Sequence, residues 1–276
     1  MADNRRTQEA IGWLPTPLTD REISLVATLQ FARTADIARL FAEAGFDALV
    51  FDLEHNTMPG DSVIEISRTA IEHGMVPLVR LPDTSPGPIR QALSSGALGI
   101  VVPRIESAAM AREVAAATRF PPAGTRPVPP RLPHFMQRSI TQNEAVTALA
   151  ANCAVVAIIE TARGLDVIDE IAAVDGIDVL FVGMSDLSFD LKLAGAKDDP
   201  RLWQAVETIC AASARHNKLT GIGGIVDPAH FTRAFKLGVR YVSAAHDVTL
   251  LATAAVERAS RLRAMQVPFR DIPGSG

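Results

Sequence analysis

Eight short apolar runs separated by segments of helical periodicity predict a (β/α)8 TIM barrel, a closed sheet of eight parallel strands ringed by helices. Two further observations favour this class over an open doubly wound sheet. The length of 276 residues suits one barrel domain of about 250 residues. The turn after the first run, Gln30-Phe31-Ala32-Arg33, lacks the glycines with which open nucleotide-binding sheets cradle phosphate. A single domain, residues 1–276, then accounts for the chain, with residues 1–24 as an N-terminal arm.

The strand-like runs fall at 25–29, 48–53, 77–81, 99–102, 155–159, 179–182, 221–225 and 241–244. Between them, Ile37, Leu40, Phe41 and Ala44 follow the i, i+3, i+4, i+7 rule, as do Leu202, Ala205, Val206 and Ile209, and Phe231, Ala234 and Phe235 begin the same pattern. Gly45, Gly74, Gly96, Gly176 and Gly238 stand where helices should end before the next strand. One stretch breaks the rhythm. Residues 119–138 hold Pro121, Pro122, Pro127, Pro129, Pro130 and Pro133, which exclude a helix or a central strand. A loop of this length is expected to be functional, and its place before the run ending at Glu160 predicts a rim over the site.

With 48% apolar residues the chain can bury a large core, and a net charge of -4 argues against a nucleic-acid or anionic-membrane surface. No run is long enough to span a bilayer, and residues 1–20 have no signal-peptide pattern. Cys153 and Cys210 fit neither a disulfide framework nor a zinc spacing and are expected as buried packing. A reducing, cytoplasmic setting is the expectation.

Active sites of such barrels lie at the C-terminal ends of the strands. Those ends present Asp52, Glu54 and His55 after the second run, Arg80 at the third, and Arg104, Glu160 and Asp186 after the next three. Two carboxylates without a His–Cys cluster suit a hard divalent cation such as Mg2+ or Mn2+. The plainer reading is that the acids cap the following helices, which is more plausible for Asp186 than for Glu160, at the end of a wholly apolar run. Arg80 ends an apolar strand and requires an anion: either a structural pair with Asp52 or Glu54, or an oxyanion on a bound molecule. His55 is a candidate general base, and His246, after the last run, a further one. An aldol cleavage needs an electron sink, either a Schiff-base lysine or a metal. Lys192 and Lys197 fall in a loop well beyond the sixth run, and Lys218 and Lys236 precede strands on the opposite face, which favours the metal. A phosphate site at Gly221–Gly224 is disfavoured by Asp227 and Asp247.

Taken in order, Phe51-Asp52-Leu53-Glu54-His55, Pro77-Leu78-Val79-Arg80, Phe120-Pro121-Pro122-Ala123-Gly124-Thr125-Arg126, Ile159-Glu160-Thr161 and Phe181-Val182-Gly183-Met184-Ser185-Asp186-Leu187-Ser188 resemble the successive signatures of the HpcH/HpaI aldolase family. The resemblance covers nearly the whole chain. It implies a class II pyruvate aldolase, dependent on Mg2+, Mn2+ or Co2+, that cleaves or forms 4-hydroxy-2-oxo acids to give pyruvate and an aldehyde. By the same resemblance Glu160 and Asp186 ligate the metal, Arg80 faces the C2 oxygen of pyruvate, and His55 serves proton transfer. Asp52 and Glu54 support these groups, and the amides of Gly183, Met184 and Ser185 hold the pyruvate carboxylate. It further implies a hexamer, a trimer of dimers that exchange a C-terminal helix around 250–264. Three positions depart from the family pattern: Ser94 where an Asp partner of the histidine is usual, Met184 for a proline, and Pro127 for a glycine. Two other readings stand beside this one: a related lyase for acyl-CoA or citramalate-type substrates, with Arg126 and Arg131 as nucleotide contacts, and an oxo-acid-binding protein of low turnover.

Overall fold

The computed structural model describes residues 12–128, 132–135 and 138–265. In chain order the elements are β1 (Ser24–Leu29), α1 (Asp36–Glu43), β2 (Ala48–Asp52), α2 (Gly60–Glu72), β3 (Val76–Arg80), α3 (Pro86–Ser94), β4 (Gly99–Val102) and α4 (Ala108–Thr118). There follow α5 (Gln142–Asn152), β5 (Ala154–Ile159), α6 (Ala162–Asp166), α7 (Ile168–Ala172), β6 (Val179–Gly183), α8 (Met184–Asp190) and α9 (Pro200–Arg215). The last described elements are β7 (Leu219–Gly223), α10 (Pro228–Lys236), β8 (Tyr241–His246) and α11 (Asp247–Ala264). The eight strands close in sequence order, all parallel, with β8 pairing back onto β1.

All eight expected strands lie within two residues of their runs, β7 being the one displaced by two at both ends. β7 starts at Leu219, two residues before the apolar stretch, because Thr220 is buried in the ladder as well as its aliphatic neighbours. Helix starts follow from capping chemistry. Thr141 and Glu144 form a reciprocal capping box at α5, and Asp199 and Asp227 cap α9 and α10, each with a proline in the first turn. Helix exits use a left-handed residue: Gly74 at φ 74° and Gly96 at φ 104° turn the chain back toward β3 and β4.

Side chains alternate along each strand, so every second residue enters the barrel. The lower interior layers are apolar, with Val26, Val50, Leu78, Val101, Val156 and Tyr241 in one cluster. That cluster is continuous with Leu14, Leu18, Phe120 and Phe135, which close the end where the strands begin.

Those last residues correct two expectations. The described part of 119–138 is not a rim over the strand ends but part of the barrel floor, because α4 first carries the chain back to the other end. Arg126 donates to Leu93 O at 3.1 Å, at the foot of α3, and His134 Nε2 lies 3.0 Å from Ala97 O, just before β4. Residues 12–23 of the N-terminal arm join the same floor, where Trp13 Nε1 donates to His134 O at 3.0 Å. Arg126 is buried there with its guanidinium over the Phe120 ring, so it is not a nucleotide contact at the mouth; Arg131 lies outside the described residues. Among the described residues no helix is long and apolar enough to cross a membrane.

Candidate active site

At the opposite end the alternation brings polar side chains to the top of the barrel interior, around a cleft of about 240 Å3. His55, Arg80, Glu160, Gly183, Met184, Ser185 and Asp186 all border it, so seven of the expected site residues meet at one place. Asp52 lies beneath them, fully buried.

Asp52 is the anchor of this layer. It receives Arg80 Nε at 2.9 Å and Nη2 at 2.6 Å, a two-pronged pair, and the Gln30 amide at 2.8 Å. Burial alone would favour the neutral acid, but Arg80, Gln30 and the His55 backbone N–H outweigh it and hold the carboxyl at about 2. The structural pair expected for Arg80 is therefore present. It also aims the guanidinium: Nε and Nη2 are spent on Asp52, while the arginine borders the cleft with Nη1 free of any protein acceptor among the described residues. Glu54 stands 3.5 Å from Arg80 Nε, and burial raises its carboxyl against the pull of Arg80 and His55.

Glu160 follows β5 with only 8% of its surface exposed. Its Oε1 accepts the backbone N–H of Arg104 at 2.9 Å, and Arg104 takes φ 51° where the two meet. The Arg104 side chain, which the sequence offers as a site group, turns to Glu106 at 3.6 Å and is largely exposed, so its amide is the part that serves the site. Burial pushes the Glu160 carboxyl up to about 7, opposed by the Arg104 N–H and reinforced by Asp186 and Glu54. Gly183 leaves the space Glu160 needs: a methyl group there would come within 2.9 Å of Oε2. Asp186 lies in the first turn of α8 on the exposed side of the cleft.

These acids fit a hard cation. Neither forms an ion pair with a basic side chain among the described residues, and a cation between them would offset the burial that chiefly raises Glu160 and the repulsion from Asp186 that adds to it. No cluster of three or more His, Cys, Asp or Glu at metal spacing occurs among the described residues, so a cation held here would keep positions for water or substrate.

His55 is 60% exposed at the mouth, with Nε2 3.6 Å from Glu54. Ser94 ends α3 at the floor end of the barrel and is exposed, so within one chain that position does not touch His55. Met184 is fully buried in the wall of the cleft.

Sequence reasoning passed over several groups here. Lys197, set aside as too distant, donates its Nζ to Ser185 Oγ at 3.0 Å; a loop's length does not reveal its direction, and no pattern marked this one as folding back. Gln30 continues the inward alternation Val26, Thr28, Gln30, a polar end to an apolar strand that the period of two could have exposed. Asp247, read as repelling an anion, accepts the backbone N–H groups of Gln30, Phe31 and Ala32 and so fixes the first loop.

A model of the HpcH/HpaI aldolase/citrate lyase family matches residues 30–254. The chain belongs to this family. Among its relatives, the 4-hydroxy-4-methyl-2-oxoglutarate aldolase of Chaetomium globosum is 37% identical over 228 residues, which cover 81% of this chain and 85% of that protein. The 4-hydroxy-2-oxo-heptane-1,7-dioate aldolase of Salmonella heidelberg is 34% identical, with 82% and 86% covered. The HpcH/HpaI aldolase of Desulfitobacterium hafniense superposes with a TM-score of 0.81 at 26% identity, over 92% of this chain and 96% of that one. This membership supports an aldolase-type carbon–carbon lyase.

Proposed function

We propose that the protein is a divalent-metal-dependent pyruvate aldolase acting on 4-hydroxy-2-oxo acids. The observation that carries the reading is the meeting of Glu160 and Asp186, 26 residues apart in sequence, beside an Arg80 whose fork is held from behind by Asp52. Two relatives bear the names of aldolases for 4-hydroxy-2-oxo diacids. Glu160 and Asp186 would hold Mg2+, Mn2+ or Co2+, which when bound supplies the Lewis acid that lets C3 of pyruvate carry negative charge.

The protein's own residues do the rest. Arg80 Nη1 donates to the C2 oxygen as charge builds on it in a partly enclosed site. The backbone around Gly183, Met184 and Ser185 receives the carboxylate. His55, directly or through water, takes the proton of the C4 hydroxyl as the C3–C4 bond breaks, and an acid returns a proton to C3 to complete pyruvate. The exposed leucines of α11 support the expected exchange of that helix between copies, in dimers assembling to a hexamer.

Metal-stripped protein should produce no pyruvate from 4-hydroxy-2-oxo acids and regain activity with Mg2+, Mn2+ or Co2+. Glu160→Gln and Asp186→Asn should each weaken Mn2+ binding at least tenfold by calorimetry while the far-ultraviolet spectrum stays native. Activity indifferent to chelator, or variants of undiminished affinity, would overturn the reading.

A further inference from the structure

We infer that His246 is a specificity-determining residue, the hydrogen-bond donor that receives a carboxylated acceptor in the half of the cleft left free by pyruvate. This assignment rests on the aldolase reading above, but it arises from the strand geometry of this chain.

β8 pairs with β1 through Val26↔Ser243, and then through Ala27↔Ala245 and Thr28↔His246. Ala244 is therefore an extra residue, a bulge. Without it, strict alternation from Tyr241 and Ser243 would bring Ala245 inward. With it, His246 falls into line with Thr28, and both border the cleft. An inserted residue that replaces an inward methyl by an inward imidazole is the kind of re-aiming that bulges produce beside active sites.

Among the described residues the imidazole has no competing partner. Asp247, its neighbour, is committed to the amides of Gln30, Phe31, Ala32 and Val248, and Asp52 to Arg80 and Gln30. No hydrogen bond to the His246 ring occurs among the described residues, and the ring is half-buried. Its polar atoms are available to a ligand.

Position around the ring decides which ligand. In the closed order β1 to β8, the keto-acid groups occupy β3, β5 and β6: Arg80, Glu160 and Asp186. A pyruvate held among them leaves the arc β7–β8–β1 for the second reactant. Gly223 and Gly224 border that arc without side chains, and of its two ionisable groups at the cleft among the described residues Tyr241 is buried in the apolar layer while His246 is only half-buried. Apart from the metal pair, whose charge a cation would cancel, the polar side chains bordering the cleft are Arg80, His55, His246, the Gln30 amide and hydroxyls, with no further acid among them. An acceptor ending in a carboxylate suits it better than an aliphatic one.

The test compares the metal-loaded wild type with His246→Ala and His246→Gln. Acceptors are glyoxylate and succinic semialdehyde, set against acetaldehyde and butanal, with pyruvate as donor. Exchange of the pyruvate methyl protons with deuterated water reports the half-reaction that needs no acceptor. His246→Ala should lose on the order of 10- to 100-fold in kcat/KM for the carboxylated acceptors, the usual worth of a hydrogen bond to a charged group. The neutral acceptors and the exchange rate should change by at least tenfold less, and His246→Gln, which keeps a donor, should recover part of the loss. An equal loss for both kinds of acceptor, or none, overturns the assignment while leaving the aldolase reading intact. A wild type that neither exchanges nor adds overturns both.

Discussion

Arg80 shows how one buried pair can serve both stability and chemistry. A guanidinium at the end of an apolar strand would be costly alone, and Asp52 both neutralises it and fixes its plane. Because the folded Asp52 carboxyl sits at about 2, below its unfolded value near 3.8, the stability it lends is complete above about pH 4 and lost only as pH falls through about 2. The Asp52 carboxylate is thus ionised throughout the working range, and an acid limb in activity must come from another group. Asp52→Asn should cost about 2–4 kcal/mol at pH 7, since it strands the arginine, and lower Tm by roughly 5–10 °C. Catalysis should fall further than stability explains: kcat for cleavage should drop by about 10- to 100-fold in protein still folded at 25 °C, because Nη1 is no longer aimed. Arg80→Lys should show the same loss of kcat, a point charge being unable to grip Asp52 and donate forward at once. Full turnover in either variant would show that the fork is not aligned by Asp52.

At the scale of elements, strands were easier to read than loops because a strand buried on both faces writes itself as an apolar run, as at 99–102, whereas loops carry no such constraint. The convergence of Glu160, Asp186, Arg80 and His55 on one cleft was legible since each stands at or a few residues beyond the end of such a run. The bulge at Ala244 was not, because an extra residue is defined only by the register of its partner, β1, more than 200 positions away. Residues 119–138 were misplaced for a topological reason: prolines identify an irregular segment, but the helix Ala108–Thr118 decides which end of the barrel it reaches. Likewise Leu40 obeys the helical period of α1 and is nevertheless 59% exposed. α11 makes the same point in reverse. Leu251 and Leu262, 60% and 55% exposed, lie eleven residues apart and so on one side of a helix about 27 Å long, and a surface of this kind calls for a partner. If copies exchange this helix, Leu251→Glu with Leu262→Glu should reduce the assembly to smaller species by light scattering with little change in helix content. An unchanged mass would exclude α11 from the interface.

For the molecule as a whole, the floor and the mouth respond to pH with opposite signs. His134 is wholly buried in the floor; its Nε2 meets Ala97 O, its Nδ1 has no partner among the described residues, and burial lowers the imidazole from 6.5 to about 4. Below pH 6.5 the unfolded chain therefore takes up a proton that the fold refuses. Stability present above that pH is lost as pH falls toward 4, on the order of 3 kcal/mol in total. Glu160 works the other way in metal-free protein, since a carboxyl raised to about 7 penalises the fold above about pH 4.5 and the penalty is relieved on acidification. The wild-type slope is a sum of opposed effects, so the informative quantity is a difference. With chelator present, His134→Gln, which keeps a donor for Ala97 O but cannot be protonated, should narrow the fall in Tm between pH 7 and pH 4.5 relative to wild type. Glu160→Gln, which removes the compensating relief, should widen it. Activity at the mouth would then be tuned independently of a floor that binds the N-terminal segment and the proline-rich segment to the barrel. Parallel pH profiles for wild type and His134→Gln would mean that the imidazole is not held neutral by the floor.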